Sequence, residues 1–121
     1  MALTVLVAED EPIIACDLCE TVEEAGFEVE GPHSGARSAM MASQKEKPAL
    51  AILDVELADG LVFDLANQLL ADHVPVIFHS GSRTAQELNE QFPGVTTVMK
   101  PCPPTTLLAA VDRAVAQSRA V

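Results

Sequence analysis

The stretch Leu50-Ala51-Ile52-Leu53-Asp54-Val55-Glu56 decides how this chain is read. Four apolar residues lead to one aspartate, with Pro48 before them and Asp59-Gly60 after. So short an apolar run between turn residues predicts a strand buried on both faces, as in a parallel sheet covered by helices. A carboxylate closing such a strand is costly to bury unless something pairs with it. In open α/β sheets, ligands bind just beyond the carboxyl ends of the strands. Asp54 therefore stands where a site is expected.

Outward from that stretch, the same pattern recurs. Leu3 to Ala8 is a second buried-strand run, followed by Glu9-Asp10-Glu11. Pro12 suits the first turn of a helix, whose apolar positions Ile14, Leu18, Val22 and Ala25 end at Gly26. A short strand, Phe27 to Val29, is closed by Gly31-Pro32. Ser34 is placed to cap a helix running to about Lys45, with Ala36, Ala39, Met40 and Ala42 inward. Leu61 to Ala71 reads as a helix with Leu61, Val62, Leu65 and Leu69 inward, and Val74 to His79 as a strand with Pro75 at its start. Arg83 to Phe92 is a helix with one large apolar anchor, Leu88, and is the expected mobile element. Val95 to Met99 is the last strand, and Pro103-Pro104 opens a helix with Leu107, Leu108, Val111 and Val115 on its apolar stripe. Five strands alternating with five helices predict an α/β fold with a parallel sheet, in one domain over residues 1–121.

Hydrophobic residues make up 49% and charged residues 21% of the chain, the balance of a folded domain. The net charge of -11 disfavours direct contact with nucleic acid, which needs lysine and arginine against phosphates. A basic protein surface or a metal cation is the more natural partner. No signal-peptide pattern and no run of membrane-spanning length are present, and the odd count of 3 cysteines suggests reduced thiols in the cytoplasm. Cys16 and Cys19 form a C-x-x-C spacing, but on an amphipathic helix and without further ligands, so packing is expected rather than zinc. His33, His73 and His79 read as ordinary, although His79 adjoins Ser80.

The chemistry lies at the strand ends. Glu9 and Asp10 follow the first strand, Asp54 ends the third, Ser80 the fourth and Lys100 the fifth. One edge of a parallel sheet gathers all of them. At about 4.5 Å and an effective dielectric of about 20, each pair of carboxylates repels by roughly 4 kcal/mol. A divalent cation and the Lys100 ammonium remove that cost. Few protein oxygens, with room for water and phosphate, suit Mg²⁺ better than Ca²⁺. A carboxylate beside Mg²⁺ and lysine can attack phosphorus and form an acyl phosphate, with the Ser80 hydroxyl and nearby backbone N–H groups to hold the oxygens.

With Val7-Ala8-Glu9-Asp10-Glu11, Ile52-Leu53-Asp54, Pro75-Val76-Ile77-Phe78-His79-Ser80-Gly81 and Lys100-Pro101 in this order, the chain resembles the response-regulator receiver domain of two-component signalling, from Leu3 to about Ala116. The resemblance implies a flavodoxin-like (βα)5 fold with strand order 2-1-3-4-5. It implies that Asp54 is the phosphoacceptor, served by a sensor histidine kinase or a histidine phosphotransfer protein. It makes Asp10 and Asp54 direct Mg²⁺ ligands, with the Glu56 backbone carbonyl, and has Glu9 act through water. Ser80 becomes the switch hydroxyl, Lys100 the partner of the acids and then of phosphate, and Lys100-Pro101 a cis peptide. Such a domain is not an enzyme beyond its own phosphorylation and dephosphorylation. It acts on a downstream protein target, with no direct nucleic-acid contact and no membrane insertion. The oligomeric state is left open, a homodimer included.

Three positions depart from the family pattern. Thr97 stands where receivers carry Phe or Tyr, so coupling to the surface needs another route. Ala58 replaces a common proline after the phosphoacceptor, and Glu56 adds an acid two residues beyond it. The rival from another class is a Mg²⁺-dependent aspartyl-phosphate phosphatase. Glu56 could serve as its second acid, but 121 residues leave little room for a substrate cap. A further reading is one receiver excised from a longer hybrid kinase or regulator, against which Met1 directly before the first strand weighs.

Overall fold

The buried apolar runs form the centre of a parallel sheet in the computed structural model, which describes residues 2–60 and 62–119. The elements are β1 (Thr4–Ala8), α1 (Pro12–Glu24), β2 (Glu28–His33), α2 (Ala36–Lys45), β3 (Leu50–Asp54), α3 (Val62–Ala71), β4 (Val76–Ser80), α4 (Ala85–Gln91), β5 (Thr96–Met99) and α5 (Pro104–Arg119). The sheet order is β2-β1-β3-β4-β5 with every pairing parallel, the flavodoxin-like arrangement expected. Among the described residues no helix is long and apolar enough to cross a membrane.

Each central strand has apolar side chains on both faces, and each face is covered by helices. Leu6, Ala51, Leu53 and Phe78 pack beneath α2, α3 and α4 with Ala39, Leu65, Leu69 and Leu88. Val5, Val7, Leu50, Ile52, Ile77 and Val98 pack beneath α1 and α5 with Leu18, Val22, Leu107 and Val111. Burying a side chain of this size contributes about 1.5–3 kcal/mol, so the two layers dominate the energetics.

Several expectations are corrected. β2 does not stop before Gly31-Pro32 but runs through it to His33. As an edge strand with a register shift against β1 between Leu6 and Ala8, it tolerates a proline that a central strand would not. Gly31 is required there: at φ +126 its Cβ would lie 2.5 Å from the Val7 carbonyl oxygen. Ala25, expected inward, is the exposed C-cap of α1, and Ala15 and Cys19 are buried instead. Ser34 does not cap α2. The N-cap is Gly35, and Asp59, from the loop after β3, accepts hydrogen bonds from Ala36 N at 3.0 Å and Arg37 N at 3.1 Å. A Cβ on Gly35 would stand 2.9 Å from the Asp59 carboxylate, which explains the glycine. Leu61 lies outside the described residues, and α3 begins at Val62 with Val62, Leu65, Ala66 and Leu69 buried. α4 is shorter than expected and is capped by the Thr84 hydroxyl, which accepts from Glu87 N at 3.1 Å. It has a second anchor at its end, where Phe92 is buried beside Phe63 and Phe78.

Candidate functional site

The ladder of the sheet continues one residue past the strands and fixes the site. Glu9 N donates to His33 O at 2.8 Å, Val55 N to His79 O at 3.2 Å and Lys100 N to Ser80 O at 2.8 Å. Asp54 pairs in register with His79, and His79 with Val98. The carboxyl ends of β1, β3, β4 and β5 are thereby brought level. Glu9, Asp10, Asp54, Ser80 and Lys100, far apart in sequence, meet at one edge.

The side chains converge accordingly. Lys100 Nζ lies 2.8 Å from Glu9 Oε1 and 3.1 Å from Asp54 Oδ1. Asp54 Oδ1 also accepts from Glu56 N at 3.0 Å, and Glu9 Oε2 from Glu11 N at 3.1 Å. One carboxylate oxygen from each of Glu9, Asp10 and Asp54 lies within 4.8 Å of the others. Glu9 and Asp54 are buried and Asp10 is exposed. The residue set fits a small divalent cation: three oxygens share one hollow against a single ammonium, leaving negative charge to be neutralised.

The electrostatics follow from that crowding. Burial, reinforced by the Glu9 carboxylate, pushes Asp54 up to about 6, against the opposing pull of Glu56 N–H and Lys100. For Glu9, burial alone would raise the pKa, but contacts with His79, Lys100, Asp54 and Glu11 N–H outweigh it and hold the group at about 2. Burial works against the charged form of Lys100, yet the two acids raise its pKa. Lys100 is thus charged at neutral pH, and the hollow keeps a negative excess.

Ser80 is fully buried, and its hydroxyl faces the loop after β4. It donates to Arg83 O at 2.7 Å and accepts from Arg83 N at 2.9 Å. It does not cap α4, a role taken by Thr84. The Glu56 side chain is exposed and accepts a hydrogen bond from the Ser82 hydroxyl, linking the loops after β3 and β4. Thr97 is half-buried and pairs in register with Phe78. On that face the aromatic rings are Phe63, Phe78 and Phe92, with centroids 5.1–6.0 Å apart, and the Arg83 guanidinium lies 5.3 Å above the Phe63 ring. Lys100-Pro101 is cis, as is Gly31-Pro32.

Sequence reasoning read His79 as ordinary, apart from a place next to Ser80 from which it could touch the site, and the structure sets it against Glu9. Its side chain is 4% exposed and its Nδ1 is 3.6 Å from Glu9 Oε1. The signal was available: His79 lies two residues after Ile77 on a central strand, and so points to the same inner face. A cleft of about 760 Å³ runs from His79 and Lys100 between α1 and α5, past Leu18 and Leu107.

Comparison with known proteins agrees with this geometry. Residues 5–112 match the family model of the response regulator receiver domain. The chain is 34% identical to the phyllosphere-induced regulator PhyR of Methylorubrum extorquens, over 94% of its own length and 44% of that protein's. The crystal structure of the response regulator PhyR from Brucella abortus is 33% identical, with a TM-score of 0.84 over 99% of this chain and 50% of that one. The chain thus spans about half the length of either PhyR. A CheY-like receiver domain protein from Methanospirillum hungatei, 21% identical, shares the fold with a TM-score of 0.87 over 98% of both chains.

Proposed function

The chain belongs to the response regulator receiver domain family of two-component signalling, and from that premise we propose that Asp54 accepts a phosphoryl group from a phosphohistidine in a Mg²⁺-dependent reaction. The observation that carries this is the convergence of the Glu9, Asp10 and Asp54 oxygens within 4.8 Å, with the Lys100 ammonium between Glu9 and Asp54. Glu56 N–H and Lys100 both hold Asp54 Oδ1, which orients the carboxylate so that Oδ2 is the nucleophile. The O–P bond forms as the N–P bond of the donor breaks. The electron pair stays on the departing imidazole nitrogen, which takes up a proton. Asp10, Asp54 and the Glu56 carbonyl would hold the magnesium ion directly, and Glu9 would act on it through water. When bound, the cation supplies positive charge against the phosphoryl oxygens.

Receiver domains are signalling switches, which work through kinases and downstream partners. In this reading Ser80 leaves Arg83 and donates to the new phosphoryl oxygen, while Lys100 turns from the acids to phosphate. Thr97 has no ring to move, so the signal needs another path. Arg83 provides one: it holds Ser80 through its backbone and covers Phe63 with its guanidinium, at the edge of the cluster that anchors α4 through Phe92. The phosphodonor protein approaches over the start of α1, where Ile13 is 72% exposed beside Asp10. A cytoplasmic setting suits the free thiols of Cys16, Cys19 and Cys102.

The test is phosphotransfer from radiolabelled histidine kinases in the presence of Mg²⁺. The parent should gain a base-labile label and Asp54→Asn none; a label that persists on the Asn variant would overturn the assignment. Glu56 offers a second measurement. Its carboxylate lies on the loop two residues past Asp54, tethered by the Ser82 hydroxyl. For two charges about 8 Å apart at an effective dielectric of about 40, the repulsion is on the order of 1 kcal/mol. Glu56→Gln should therefore lengthen the life of the phosphorylated state severalfold, and equal decay rates would show that the side chain does not sense the site.

A further inference from the structure

We propose that His79 is a positioning residue for the divalent cation site, holding the Glu9 carboxylate in place beside Lys100, and in its stead once Lys100 moves from the acids to the phosphoryl group. The inference rests on the reading of Glu9, Asp10 and Asp54 as that site.

His79 occupies a central strand, in register with Asp54 on one side and Val98 on the other. Its side chain shares the face of Ile77, Ile52 and Val98, beneath α1 and α5, where every neighbour on the sheet is apolar or belongs to the acidic hollow. An aliphatic side chain would pack there with nothing left unsatisfied. The imidazole is 4% exposed, and neither of its nitrogens makes a hydrogen bond among the described residues. A buried polar group without a partner is a liability for stability, and each such group calls for an explanation.

The explanation lies 3.6 Å away. His79 Nδ1 faces Glu9 Oε1, on a side chain with no solvent exposure. Glu9 is held at two points, Glu11 N–H on Oε2 at 3.1 Å and Lys100 Nζ on Oε1 at 2.8 Å, with His79 Nδ1 beside the same Oε1 at 3.6 Å. Lys100 is shared with Asp54 at 3.1 Å, so it is the support that a phosphoryl group on Asp54 would draw away. A fully buried carboxylate deprived of its countercharge is strongly disfavoured. With its proton on Nδ1, His79 is the remaining donor in reach of Oε1 among the described residues, and a shift of a few tenths of an ångström closes a hydrogen bond. Glu9 then stays aimed at the cation when its ammonium partner turns away.

The experiment is a Mg²⁺ titration of the full chain by calorimetry, beside urea unfolding without metal, for the parent, His79→Leu and His79→Asn. The Leu variant should bind Mg²⁺ five- to tenfold more weakly, yet unfold at a higher urea concentration. The Asn variant places an amide N–H where Nδ1 stood, and should recover most of the lost affinity. Equal affinity in parent and Leu variant would overturn the proposal, as would an Asn variant no better than Leu. A Leu variant that unfolds more readily than the parent would also overturn it, because the imidazole would then be a packing residue. If the parent itself binds no Mg²⁺, the cation site fails and this inference with it; failure confined to the variants leaves that site standing.

Discussion

Asp54→Asn should stabilise the metal-free protein at pH 7 while removing the proposed phosphoacceptor. Burial and the Glu9 carboxylate raise Asp54 from 3.8 to about 6, and each unit of such a shift corresponds to about 1.4 kcal/mol. Shared between two coupled acids, the gain is on the order of 1–3 kcal/mol. The sign runs against the usual carboxylate. Because the folded pKa lies above the unfolded one, the native state binds the proton more tightly, and its ionised form carries the cost. That cost is full above about pH 6 and vanishes as the pH falls through the unfolded value of 3.8. The advantage of the Asn variant should therefore be largest at pH 7–8 and shrink towards nothing near pH 4. With no Trp and no Tyr in the chain, urea unfolding followed by far-ultraviolet circular dichroism is the suitable measurement. Mg²⁺ should do for the parent what the substitution does. At ten times its dissociation constant it adds about 1.4 kcal/mol, and the Asn variant, short of one charged ligand, should gain much less. A parent more stable than Asp54→Asn at pH 7 without metal would mean that the carboxyl is a structural support rather than a strained functional group.

The legible parts of this molecule are those in which one residue type has one physical outcome. Apolar runs such as Val5 to Ala8 and Ala51 to Leu53 can be satisfied only between two helical layers, so they announce central strands. Acids and a lysine at the ends of such runs can only gather at one sheet edge, so Glu9, Asp10, Asp54 and Lys100 announce the hollow. The rest depends on partners distant in sequence. Asp59 caps a helix that begins 23 residues earlier, which no local rule reports, and Ser34 beside it offered a plausible wrong answer. Gly31-Pro32 looks like a strand stop and becomes part of β2 only because that strand lies at the edge. Ser80 has a local partner in Arg83, but the sequence does not say which way a hydroxyl turns when both a loop and a site are in reach. Thr97 declares that the usual ring is missing; that Phe63, Phe78 and Phe92 cluster beneath Arg83 instead appears only once α3 and α4 are packed.

Lys100→Met should be the most damaging single change in the hollow that keeps the bulk of the side chain. Methionine preserves the apolar stem over the sheet edge but removes the one ammonium that Glu9 and Asp54 share, at 2.8 Å and 3.1 Å. Removing one partner from a buried ion pair typically costs 3–5 kcal/mol, because the other charge stays buried. With the Lys100 side chain 17% exposed, the loss at pH 8 should be near the lower end, about 3 kcal/mol. The pH dependence separates charge from packing. Without the ammonium, the folded pKa of Asp54 moves further up and that of Glu9 rises from its depressed value, so the variant regains stability as the pH falls and Asp54 takes up its proton. The deficit should therefore be at most half as large at pH 5 as at pH 8. Adding Asp54→Asn to Lys100→Met should recover part of it at pH 8 and little at pH 5, since the amide and the protonated acid are alike in charge. A deficit unchanged between the two pH values, or additive with Asp54→Asn throughout, would locate the contribution of Lys100 in its stem. The hollow would then be held by packing, and the transfer of Lys100 from carboxylates to phosphate could not act as the switch.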